Sequence, residues 1–247
     1  MEYRELNALE IVNTIARLEQ RIGERFPDAN LVKVCRDLLA VARDTQSKAQ
    51  RIARPNRVLQ VLIVAAVLGG LAGIFYVALA LTRWIHPQVG NEMFSIFAGI
   101  DAAMNVVVLA GAALLFAVTL EDRLKRRKSL RELYVFRSIA HVIDMHQLTK
   151  DPGTLLGRGP ATAASPKRTM TKYELTRYLD YCSEMQSLTG KLAALYAQNI
   201  PDPVVIDVVN DIEELTANFS RKVWQKISIL ESYDPADAAA GTAARPK

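Results

Sequence analysis

Cysteine is scarce in this chain, two residues in 247. Cys35 and Cys182 lie far apart, with no CxxC pair and no metal-like spacing. That excludes a disulfide scaffold and a Cys-ligated zinc module, and two isolated thiols suit a reducing compartment. Catalytic signatures are missing too: there is no G-x-S-x-G, no HExxH and no constellation of Ser, His and Asp. The glycines of "PGTLLGRGP" lack the terminal Lys-Ser/Thr of a phosphate loop, and nothing before them reads as a strand. The expectation is a non-enzyme, with no catalytic residue, no cofactor and no metal.

Charge is missing from two long runs. Val58 to Thr82 is 25 residues without a charge, and Met93 to Leu120 is 28 with Asp101 as the only one. A helix needs roughly 20 apolar residues to cross a bilayer core of about 30 Å. A core helix of a globular protein, in contrast, keeps a polar face. The runs therefore read as two transmembrane helices. No secretory signal is expected before them, because residues 1–56 are charged and amphipathic without an early apolar segment.

What charge there is gathers at the flanks. Lys48, Arg51, Arg54 and Arg57 lead into the first run; Arg123, Lys125, Arg126, Arg127, Lys128 and Arg131 follow the second. The connector "RWIHPQVGNE" carries only Arg83 and Glu92. Positive-inside asymmetry predicts both flanks and both chain ends in the cytoplasm, with a multi-pass location in a bacterial inner membrane. The expected partner of the basic flanks is a bilayer with anionic headgroups, and no nucleic acid.

Elsewhere apolar residues recur every three or four positions, the helical rhythm. A cytoplasmic helical hairpin is predicted over 1–56, broken at "FPDAN". Two transmembrane helices with a short external connector (83–92) fill 57–122. A cytoplasmic extension helix follows over 123–151, with Leu130, Leu133, Phe136, Ala140 and Ile143 as its stripe. Residues 152–168, rich in Gly, Pro, Ala and Ser, read as a flexible linker. A C-terminal cytoplasmic hairpin is predicted over 169–233, restarting at Asp202-Pro203, since Asp caps and Pro suits a first turn. The tail, 234–247, reads as disordered.

The two terminal hairpins align with each other. Leu9, Ile15, Leu18, Ile22 and Phe26 fall on Leu179, Met185, Leu188, Leu192 and Tyr196 at a constant offset. Duplication explains this, and so does the heptad rhythm that any two amphipathic hairpins share. Either way each hairpin has an apolar face it cannot bury alone. The fold class expected is all-α: a two-span transmembrane helical hairpin with a cytoplasmic helical bundle formed by the N- and C-terminal hairpins. A homo-oligomer, with coiled-coil packing between chains, would close the same surfaces.

Three groups of residues stand out. His141, Asp144 and His146 form a polar cluster of metal-capable types, but His141 and His146 are five apart and point about 140° away from each other on a helix. His141 and Asp144 are spaced to meet. Inside the runs, Ala65, Gly69 and Gly73, and Ala98 and Ala102, repeat small residues every four positions, a face for close helix packing within the hairpin or between chains. Asp101 and Asn105 share a polar face, with Tyr76 level with Asp101 when both runs are counted from their charged inner edges. An acid at the bilayer centre is functional by default; this register puts Asp101 near the outer interface, with a hydrogen bond across the hairpin or a place in an oligomeric pore mouth.

The layout is similar to that of two-helix membrane effectors in bacterial conflict systems, in topology alone. The function expected is a membrane-anchored, non-catalytic helical protein whose cytoplasmic bundle binds an unknown protein partner or senses a signal. The alternative is an oligomeric, ion-conducting two-span effector gated by that bundle.

Overall fold

A computed structural model describes residues 5–54, 57–84, 92–154, 163 and 170–232. Among these residues no strand occurs, and six α-helices follow one another: α1 (Ala8–Arg25), α2 (Asn30–Ala53), α3 (Arg57–Trp84), α4 (Glu92–Leu148), α5 (Lys172–Asn199) and α6 (Pro203–Glu231), with a short 3-10 turn, Pro152–Thr154, after α4. The fold is all-α. The extension helix is the continuation of α4, which runs without a break from Glu92 to Leu148, a stretch without Pro. Most of the connector, nearly all of the linker and the tail lie outside the described residues.

Met1–Ala53 together with Lys128–Lys247 make one compact unit, and Arg54–Arg127 make a second. In the first, α5 is the central helix. Leu179, Cys182, Met185, Leu192, Ala193 and Tyr196 are fully buried, and these positions take up more than one side of the helix. A helix apolar on several sides has to be surrounded, and α5 packs against α1, α2 and α6. The lower part of α4 joins it through Leu133, Phe136, Ala140 and Ile143, four of the five stripe residues. Phe136 meets Tyr196 edge-on at 6.0 Å, and Gln186 Nε2 of α5 donates to the Ala140 carbonyl at 2.8 Å. Leu175, Leu179, Val223, Ile227 and Leu230 form a second, smaller core between α5 and α6.

The helix starts are set by local chemistry. Thr171 and Glu174 form a reciprocal capping box at α5. Asp202 caps α6 ahead of Pro203, as the sequence predicts. Asn7 caps α1, its side chain accepting from the Leu9 amide. Ion pairs tie neighbouring helices: Arg21 with Glu184, Arg36 with Glu19 at 3.1 Å, and Lys48 with Glu132 at 3.0 Å. Partly exposed pairs of this kind contribute about 0–1 kcal/mol each, so apolar burial carries the bundle.

The second unit is built differently. Val58, Val61, Leu68, Leu71 and Phe75 of α3 are exposed, as are Met104, Val107, Val108, Leu109, Leu115 and Phe116 of α4. Between the helices lies an apolar groove of about 370 Å³, lined by Ala66, Gly70, Ala110 and Gly111 among others. A Cβ added at Gly69, Gly70, Gly73 or Gly111 would meet nothing within 4 Å. Among the described residues, no helix is long and apolar enough to cross a membrane.

Candidate functional site

The end of α4 carries the histidine cluster, and the structure distributes it in three directions. The expected His141–Asp144 pair is not formed. His141 lies edge-on to the Phe219 ring of α6 at 5.4 Å. Asp144 accepts instead from Gln147 Nε2 at 2.6 Å, and Gln147 in turn accepts from Lys226 Nζ through its side-chain oxygen (2.7 Å) and its carbonyl (2.8 Å). The lysine thereby neutralises the C-terminal turn of α4, where carbonyls lack helical partners. Sequence reasoning did not pair Gln147 with Lys226, because their contact joins positions 79 apart. Among the described residues no group of three or more His, Cys, Asp or Glu could hold a metal ion.

His146 turns toward a cavity of about 540 Å³. Three segments build its walls. The turn between α1 and α2 contributes Arg25, Phe26 and Asp28; the end of α4 contributes His146 and Lys150; the start of α5 contributes Glu174 and Tyr178. Partial burial and the nearby Lys150 ammonium both hold the His146 imidazole below its usual range, burial more strongly. Lys150 Nζ stands over the Tyr178 ring at 4.8 Å, and Phe26 meets the same ring edge-on at 5.6 Å. Arg25 faces Tyr173, with its guanidinium 5.3 Å from the ring and a 3.1 Å bond to the phenol oxygen. Glu174 is held low by hydrogen bonds from the Thr171 amide and hydroxyl. No ion pair joins Arg25, Asp28, Lys150 and Glu174 to one another among the described residues.

The thiols are not part of any site. Cys35 and Cys182 are both fully buried, and burial pushes each up to about 12. Neither is a nucleophile at neutral pH.

In the second unit, Asp101 and Asn105 are both exposed. The hydrogen bond expected across the hairpin runs along α4 instead: Asn105 Nδ2 donates to Asp101 Oδ2, one turn earlier, at 3.5 Å. Tyr76 is 74% exposed. Ala65, Gly69 and Gly73 are exposed on α3, whereas the side chains of Ala98 and Ala102 lie outside the described residues.

Compared with known protein families, with curated proteins and with solved structures, this chain matches none.

Proposed function

We propose that this chain is a membrane-anchored, non-catalytic helical protein whose cytoplasmic bundle binds a protein partner or senses a signal. One observation carries the reading: many of the described apolar side chains of α3, and of α4 between Met104 and Phe116, are uncovered. Val58 is 70% exposed and Leu109 also 70%, with Val64, Leu68, Phe75 and Val108 all above half. An exposed apolar surface this extended marks a contact with lipid or protein. The uncharged runs, 25 and 28 residues in the sequence, pass through positions whose side chains lie outside the described residues. Taken whole, each run has the length of a bilayer span. Arg54 and Arg57 at one end and Arg123 to Arg127 at the other suit anionic headgroups on the cytoplasmic side.

Cell fractionation and thiol labelling test the placement. The chain is expected to stay with the membrane fraction after alkaline carbonate washing. A Gln88→Cys variant is expected to react with a membrane-impermeant maleimide in intact cells, and a Ser138→Cys variant only after lysis. A chain released by carbonate, or the reverse labelling order, sinks the proposal.

A second reading is favoured by the exposed Asp101–Asn105 face: an oligomeric pore in which copies of that face line the path. Reconstituted protein would then pass cations across liposomes, and Asp101→Asn would cut the flux at least tenfold. Unchanged flux in that variant removes Asp101 from any lining. Disulfide crosslinking of a Gly73→Cys variant in membranes reports whether α3 meets another copy, since a Cβ there meets nothing within 4 Å among the described residues.

A further inference from the structure

The cavity beside His146 combines features that the membrane reading does not use. It holds about 540 Å³, within the roughly 300–1,000 Å³ common for small-ligand sites. Two cationic side chains, Arg25 and Lys150, and two carboxylates, Asp28 and Glu174, line it. Opposite charges sharing one small space ordinarily pair directly; here none of the four reaches another within ion-pair distance. Tyr178 and Phe26 meet edge-on at 5.6 Å in its wall, both buried, with Lys150 Nζ over the Tyr178 ring. His146 stays neutral near pH 7 under burial and the Lys150 charge, so the formal charge of the lining sums to zero there.

A simple anion gains from the lysine and arginine but loses to the carboxylates. A simple cation fares the same way with signs reversed. A molecule carrying both charges gains from each pair. We infer that this cavity binds a small zwitterion of the amino-acid class, with its carboxylate toward Lys150 and Arg25 and its ammonium toward Asp28 and Glu174. The inference rests on the reading of the bundle as a sensor and names the class of signal. Because the cavity draws on α1, α2, α4 and α5, occupancy would brace four helices at once.

The test is a calorimetric titration of the full chain in detergent micelles. L-leucine, L-phenylalanine and L-glutamate are the probes; isopentylamine and 4-methylpentanoate each keep one charge of leucine, and phosphate is the anion control. At least one amino acid is expected to bind ten times more tightly than either single-charge relative. Lys150→Met and Asp28→Asn are each expected to weaken that binding tenfold or more, with an unchanged circular-dichroism melt without ligand. The inference is overturned if no amino acid binds, if a single-charge relative or phosphate binds as well, or if either variant binds like the parent chain. A null titration alongside correct cysteine labelling overturns the cavity inference and leaves the membrane anchor standing; the converse result separates them the other way.

Discussion

Asp202 shows how much one side chain settles. Its Oδ1 accepts from the Val204 and Val205 amides at 3.0 and 3.2 Å, two of the donors that the first turn of α6 leaves without helical partners. Asp202→Ala is expected to cost about 1 kcal/mol in a urea titration, and Asp202→Asn only a fraction of that. His146 makes a pH-dependent contribution of definite sign. Its pKa in the folded chain lies below the ordinary 6.5, so the unfolded chain binds the proton more readily. Stability is therefore intact above about 6.5 and falls as the pH drops through that value toward the folded pKa. His146→Gln is expected to flatten the melting-temperature profile just below pH 6.5. An equally steep profile in that variant would show that another group titrates there.

Between elements, α5 and α6 approach closely at Gly190. A Cβ on Gly190 would stand 2.9 Å from Thr216 Oγ1, which belongs to a buried, β-branched side chain with little room to turn. Alanine normally improves a helix interior by about 1 kcal/mol over glycine, yet Gly190→Ala is expected to destabilise by about 1–3 kcal/mol through overpacking. Adding Thr216→Ala should recover part of the loss, a coupling that a double-mutant cycle measures. Gly70→Ala, with open space around it, should show no such penalty. The same contrast marks what was legible in the sequence. The α4 stripe and the Asp202-Pro203 start depend on neighbours a few residues away, and both were read. The burial of Tyr181 and Gln186 was not, because one apolar stripe describes a helix with one covered side and α5 has several. Leu9 and Leu179 align in the two hairpins, yet Leu9 is 56% exposed and Leu179 is fully buried. Equivalent residues meet different neighbours, and periodicity carries no record of that. The cavity was illegible for the same reason: its walls come from three segments brought together only by packing.

For the molecule as a whole, the bundle and the apolar unit place different demands on the chain. The bundle is a packed interior, so truncation there is costly: Phe136→Ala, which empties the space against Tyr196, is expected to lose about 3–5 kcal/mol in a urea titration. A loss below 1 kcal/mol would mean that α4 is not an integral wall of the core. Among the described side chains, the apolar unit contributes none to either buried core. The burial of Cys35 and Cys182 has a practical side. With both sulfurs fully buried and each pushed up to about 12, the folded chain should give no reaction with Ellman's reagent at neutral pH and two equivalents in denaturant. The natural chain is thus its own silent background for site-directed chemistry: a single cysteine, dye or spin label placed on its surface would report alone, without a cysteine-free variant having to be made first.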